Sequence, residues 1–288
     1  MDVLLVRGAS SGREGGPLSL AAILLALVLS ALVVIVPFAW IIRGAFSPTD
    51  AQLYQLPPTL FPERATAENF GDALTTVPML RFFANSFIVA STVTVAQLFT
   101  SATAAYAFAR LTFRGKGLLF GLVVSCLMIP IQATIVPLFL LMRELGLTNT
   151  LWSLILPPVV SAFGVFLLRQ HFLGVPRELD EAATIDGAGH IRIFASVILP
   201  LSGPALATLG IICFTYWWND LLLPMVMITD TENQTLPVGL TLLAGRFSTG
   251  SLGDIAAGIT MAVVPVMLLF GFAQRYVVQS IAASGLKL

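Results

Sequence analysis

An all-α integral membrane protein with six transmembrane helices is the fold class this sequence predicts, and two observations carry the prediction. Apolar residues make up 57% of the chain, charged residues only 10%, and mean hydropathy is +0.92; a soluble domain carries about 25% charged residues. The apolar residues also gather into six runs, near 18–42, 84–109, 118–142, 150–170, 197–223 and 256–277. Each is long enough for the roughly 20 helical residues that cross ~30 Å of hydrocarbon. None shows the short alternating segments of a membrane barrel.

The first run, Leu18 to Ile42, exceeds the roughly 7–15 residues of a signal-peptide core. It is expected to stay as the first span, behind a Gly/Ser-rich cytoplasmic tail at 1–17 that carries Arg7 and Arg13. Residues 18–288 are expected to form a single transmembrane domain. A polar, Pro-rich loop follows at 43–83, and a second long polar segment at 224–255 is expected to reach outward. Pro37, Pro130, Pro137, Pro157, Pro158 and Pro265 lie within spans. Each removes a backbone donor and favours a kink or a helix end, although proline is also commoner in membrane helices generally. Cys126 and Cys213 read as reduced packing residues; their number suits neither a disulfide framework nor a zinc site. Formal net charge is zero, so there is no basic footprint for nucleic acid.

Lys and Arg set the orientation. With the N-terminus in the cytoplasm, the inner segments hold Arg7, Arg13, Arg110, Arg114, Lys116, Arg169, Arg177, Arg192, Arg275 and Lys287, and the outer ones Arg43, Arg64, Arg81, Arg143 and Arg246. Both termini are then cytoplasmic. The stretch VPRELDEAATIDGAGHIRIFASVILP, residues 175–200, lies on the cytoplasmic side between spans four and five.

That stretch holds six charged residues, Arg177, Glu178, Asp180, Glu181, Asp186 and Arg192, in an otherwise apolar chain. Pro176 suits a first helical turn, and RELDEAATI reads as a short helix with Leu179, Ala182 and Ala183 on one face. Asp186 can cap the helix that follows, and Gly187 can take positive φ for a sharp reversal. A second helix would place Ile191, Phe194 and Ile198 against the bundle, with Pro200 leading into span five. Small side chains flanked by charges permit close, register-fixed contact with another surface. An ordinary solvated helix has a similar composition, and the pattern alone leaves both readings open.

The segment resembles the EAA loop of the membrane subunits of bacterial ABC importers. The family pattern is E-A-A, three residues, G, nine residues, then I-x-L-P. Here it is Glu181-Ala182-Ala183, Gly187 and Val197-Ile198-Leu199-Pro200, with Val for the first Ile. NSFIVA at 85–90, LGLTNTLWSLIL at 145–156, WWNDLLLP at 217–224 and TLPVGL at 235–240 are similar to the carbohydrate branch, the relatives of the smaller permease subunit of the maltose importer. The resemblance implies a type I ABC importer permease fold with a cytoplasmic coupling helix. By the same carry-over, Glu181, Ala182 and Ala183 dock a cytoplasmic ATPase. Asp186 and Gly187 form the bend, Arg192 follows it, and Pro200 joins the segment to span five.

A phosphate-cradling loop needs G-x-x-x-x-G-K-[ST]. The nearest fragment, RGKG at 114–117, has Arg110 in place of the earlier glycine and Gly117 in place of Ser/Thr. No catalytic or metal-ligating residues and no cofactor are therefore assigned to this chain; ATP and Mg are expected on two partner ATPase subunits. A second six-span permease and an extracytoplasmic solute-binding protein complete the implied assembly in a bacterial plasma (inner) membrane. Gln132, Tyr216, Trp217 and Asn219 are the polar or aromatic groups that could line the solute path; for Trp217, Trp218 and Asn219, anchoring at the outer interface is the favoured reading of the residues alone. The solute is read as a sugar or oligosaccharide, with glycerol phosphate, a polyol or another small solute as the alternative. A secondary transporter would call for ionisable residues deep in the spans or an inverted repeat, and the span centres lack Asp, Glu, Lys and Arg.

Overall fold

A computed structural model describes residues 17–48, 61–62, 64–246 and 252–285. The expected N-terminal tail, but for Pro17, lies outside these residues, as do the last three positions. Everything regular in the described residues is helical. The helices are α1 (Pro17–Ala45), α2 (Glu68–Thr76), α3 (Met79–Arg110), α4 (Lys116–Ser125), α5 (Ile131–Glu144), α6 (Trp152–Ile155) and α7 (Ala162–Gly174). They continue as α8 (Glu178–Ile185), α9 (His190–Ile193), α10 (Leu199–Leu201), α11 (Gly203–Trp218), α12 (Leu222–Met227), α13 (Leu236–Arg246) and α14 (Leu252–Gly285).

The six spans are present, but they are not six straight rods. Leu20–Ala45, Met79–Arg110, Trp152–Gly174 and Leu252–Phe272 are each long and apolar enough to cross a membrane. The third span is α4 with its 3₁₀ extension and α5, bent by 99°. The bend falls at Pro130, which has no N–H to carry the ladder on and sits in extended backbone at ψ 139°. The fifth runs from α9 through α10 into α11 and bends by 77° beside Ser202.

Helix α3 forms the middle of the bundle, with α7 and α11 packed along it and α14 against α11 and α1. Apolar attraction does not hold helices together in lipid, so close approach of small residues and polar contacts must do so. Gly164 of α7 is one such point: a methyl there would lie 3.0 Å from Ser101 Cβ and 3.3 Å from Leu209 Cδ2. Helix α1 differs from the rest. Its apolar length is fully exposed, and only its last turn is buried, where Asn69 Nδ2 donates to the carbonyls of Ala45 (3.0 Å) and Ser47 (2.7 Å).

Span four is interrupted between α6 and α7 by the 3₁₀ turn Pro157–Val159. The carbonyls freed there are taken up from α3: Gln97 Nε2 donates to Pro158 O (2.6 Å) and Thr100 Oγ1 to Val159 O (2.7 Å). Ser161 then caps α7 by accepting from Gly164 N (3.0 Å).

The segment 224–255 does not reach out as a polar loop. Its described part folds into α12 and α13, and Gln234, Thr235, Leu236, Val238 and Leu243 are buried. Two anchors hold it. Asn85 Nδ2 donates to Glu232 O (2.9 Å) and Gln234 O (2.8 Å), and Leu236 N donates to Ser86 Oγ (2.8 Å). Asn149, in left-handed backbone at φ 62°, accepts through Oδ1 from Thr229 Oγ1 (2.9 Å) and Asp230 N (3.2 Å); its N–H donates to Met227 O (3.0 Å) and its carbonyl accepts from Asn233 Nδ2 (2.7 Å). Residues 247–251 lie outside the described residues.

Gly164→Val is expected to destabilise the bundle by about 1–3 kcal/mol through overpacking between α3, α7 and α11. Gly121→Ala, with open space around it, is expected to be neutral. Thermal unfolding of the purified chain in detergent, followed by loss of its monodisperse gel-filtration peak, measures both.

Candidate functional site

Two short helices and one bend make up the segment expected to dock an ATPase. Helix α8 starts after Arg177, whose carbonyl accepts from Asp180 N (2.9 Å) and Glu181 N (3.1 Å), so Pro176 stands just outside it rather than in its first turn. Glu178, Asp180 and Glu181 occupy that first turn, where the positive end of the helix dipole favours carboxylates. The helix ends in a Schellman pair: Gly187 N donates to Thr184 O (3.0 Å) and Ala188 N to Ala183 O (2.9 Å). Gly187 lies at φ 80°, a region that costs a residue with a Cβ roughly 1–2 kcal/mol. Asp186 is the C-cap of α8. It does not cap the next helix as expected, because Gly189 holds that position and no side chain caps α9.

The two faces of α8 differ. Ala183, and Ala188 beyond the bend, are half-buried and pack on a cluster that includes Tyr106, Phe172 and Ile193. Glu178, Glu181, Ala182 and Ile185, spaced three and four apart, are exposed together. The expected shared face of Leu179, Ala182 and Ala183 is thus divided: Ala183 turns inward and Ala182 outward. Ile185 is 86% exposed and Ile191 85%, one on each side of the bend. Sequence reasoning overlooked Ile185, although its spacing from Glu181 and Ala182 marks it. It also placed Ile191 on the packed face, which is formed instead by Ile193 and Ile198 with Phe194 half-buried. The physical reason is a π-helical turn at Phe194–Ile198, in which Leu199 N donates to Phe194 O. Pro200, one residue on, has no N–H to continue the tighter ladder. Arg192 and Pro200 are both exposed.

The bundle holds this segment through the end of α3. Arg110, its last residue, has a side chain only 4% exposed; its Nε lies 3.1 Å from Asp180 Oδ2 and its Nη2 donates to Val175 O (2.8 Å). One turn earlier, the rings of Tyr106 and Phe194 are 5.1 Å apart. Arg110 had been read only as a topological charge.

The four pathway candidates separate. Tyr216 and Trp217 meet edge-on at 4.9 Å and line a cavity of about 250 Å³ with Gln97, Ser161 and Phe163. Trp217 also lines a second cavity, of about 590 Å³, between α5 and the Pro157–Pro158 turn. Gln132 is exposed on the first turn of α5 and lines neither. Asn219 is exposed and donates its amide to Thr215 O (2.7 Å). Trp218 is not an interfacial anchor: it is 2% exposed, stacks on Phe214 at 5.7 Å, and its Nε1 donates to Ala262 O (3.1 Å) of α14. Gln97 is the polar group that sequence reasoning missed; its signal is an amide placed in mid-span.

Comparison with known proteins agrees with this architecture. Residues 97–283 match the family described as binding-protein-dependent transport system inner membrane component. An arabinooligosaccharides transport system permease protein of Halalkalibacterium halodurans is 36% identical, over 89% of this chain and 92% of its own length. A trehalose/maltose transport system permease protein of Thermococcus litoralis is 32% identical, over 90% and 94%. Among solved structures, a chain of a bacterial ABC transporter involved in the import of the acidic polysaccharide alginate superimposes with a TM-score of 0.78 at 26% identity, over 90% of this chain and 97% of that one. The chain therefore belongs to the binding-protein-dependent transport system inner membrane components, the multi-pass permease subunits of ABC importers.

Proposed function

We propose that this chain forms half of the translocation pathway of an ATP-driven importer for a sugar or oligosaccharide, and that it couples to ATPase subunits through residues 175–200. The observation that carries the coupling reading is the face of α8. Ile185, 86% exposed, shares that face with Glu178, Glu181 and Ala182 on a helix with no buried residue of its own, and Ile191, 85% exposed, stands beyond the bend on α9. Exposed isoleucines on either side of the bend, interleaved in sequence with Glu181, Asp186 and Arg192, suit a cleft on a protein partner: the isoleucines fill it and the charges set register. The Schellman bend at Gly187 fixes the angle between the two short helices, so a push on α8 moves the segment as a body.

The positive end of the bundle supports a cytoplasmic placement for this segment. Arg110, Lys116, Arg169 and Arg177 gather at the α8 end, with Lys116 Nζ on Leu111 O and Arg169 Nε on Phe108 O. Both termini are then inside, and α12–α13 face outward toward a solute-binding protein. The ATPase pair supplies ATP and Mg²⁺, and a second six-span permease completes the pathway. The carbohydrate assignment rests on the relatives, which are named for arabinooligosaccharides and for trehalose and maltose. ATP-driven closure of the ATPases draws the two coupling segments together and turns the spans from inward-open to outward-open. Aromatic faces at Tyr216 and Trp217 suit stacking on sugar rings.

Ile185→Glu, Ile191→Glu and Glu181→Lys are each expected to lower co-purification of the ATPase subunits by about tenfold, equivalent to about 1.4 kcal/mol, and to abolish uptake. Gly187→Pro should do the same by removing the left-handed bend. Membrane insertion should be unchanged in all four; normal uptake together with normal complex recovery would overturn the docking assignment. For the pathway, Trp217→Ala is expected to shift the apparent KM for solute by about tenfold, whereas Asn219→Ala should stay near wild type. Uptake of radiolabelled oligosaccharide by cells carrying the whole system measures both.

A further inference from the structure

Beside the apolar packing of Ala183, Ala188, Ile193 and Ile198 on the core, the coupling segment has three connections into the bundle, and they differ in stiffness. At its entry it continues from α7 through the non-helical residues 175–177. At its exit it passes through the π-helical turn Phe194–Ile198 and then a 77° bend beside Ser202. A π turn is a weak point in a helix, and so is a sharp bend. Neither chain connection is built to carry a load.

The third route is through space. Arg110 reaches two points of the segment at once: the Asp180 carboxylate on α8 at 3.1 Å, and the Val175 carbonyl on its entry at 2.8 Å. Among the described residues this is the ion pair that α8 makes. The guanidinium is planar and rigid, so one hydrogen bond, to Val175 O, and one close ion contact, to Asp180, together limit its direction as well as its distance. Its side chain is 4% exposed and that of Asp180 20%, so water screens the pair far less than it would a surface pair. Behind Arg110 stands α3, an uninterrupted helix of 32 residues. It packs on α7 and α11 along its length, while the third and fifth spans are bent. Tyr106, one turn back, meets Phe194 on the exit side, so the last turn of α3 touches both arms of the segment.

We propose that Arg110 and Asp180 form a strut that carries displacement of α8 into α3, which makes Arg110 a positioning residue for coupling rather than a docking residue. The proposal rests on the coupling role assigned to residues 175–200. Force delivered at the exposed face of α8 passes through Asp180 to Arg110 and along α3 to the outer end of the bundle. The chain connections follow instead of leading.

The test uses the whole complex, permease pair, ATPases and binding protein, reconstituted in liposomes, and reads solute carried per ATP hydrolysed. Arg110→Gln and Asp180→Asn should each leave the ATPase subunits bound and lower that ratio by about tenfold. The exchanged pair, Arg110→Asp with Asp180→Arg, should recover it to within about threefold of wild type, as expected of directly coupled residues. An unchanged ratio in the single variants overturns the strut, and so does an exchanged pair no better than either single. Loss of ATPase binding in the singles also overturns it, because the pair would then only shape the docking surface. The coupling role itself fails by a different result: ATPase binding and uptake that survive Ile185→Glu.

Discussion

Every interruption of a helix within a bilayer exposes backbone groups that lipid cannot satisfy, and in this protein the groups that satisfy them come largely from α3. Gln97 and Thr100 take up the carbonyls of Pro158 and Val159, where the fourth span breaks. Asn85 and Ser86 bind the backbone of the segment that follows α12. Arg110 closes the series on Val175 O at the other end. An unpaired buried amide or carbonyl costs several kcal/mol in hydrocarbon, so each bond permits a break that would otherwise be untenable. The bent spans and the straight one are parts of a single solution: α3 remains whole so that its neighbours can be broken.

The segment 175–200 shows the same division of labour. The face presented outward is open: Ile185, Ile191, Glu181 and Ala182 are all exposed. The inward face is committed, with Ala183 and Ala188 on the core and Asp180 on Arg110. Alternating residues of one eight-residue helix are thus divided between the core and an open face, with small side chains at 182 and 183 on either side of the boundary.

Much of this was legible in the sequence. The six spans follow from hydropathy and length, and the bend at Gly187 from a glycine placed between two short helical patterns. The EAA spacing located the segment and the family. What could not be read were features that depend on neighbours far along the chain. Ala182 and Ala183 look equivalent by composition, and only the position of α3 separates them. The face of α9 was misassigned because the π turn before Pro200 adds a residue to the register, which a fixed 3.6 period does not anticipate. Trp218 matched an interfacial anchor until α14, 44 residues away, supplied the carbonyl of Ala262. The 224–255 segment looked solvated by its polar content. Asn85 and Ser86 bond its backbone at residues 232, 234 and 236, and Asn149 bonds Thr229, Asp230 and Asn233.

Asn149 has a kinematic consequence. Its backbone is held in the left-handed region, where asparagine is better tolerated than most residues, and its N–H, its carbonyl and its side-chain oxygen all end on residues 227–233. The turn after span three and the segment after span five are therefore welded at one residue. Those are the two spans with a bend. Two bent bodies joined at their far ends no longer swing independently, so this end of the bundle has one degree of freedom where its chain topology would allow two.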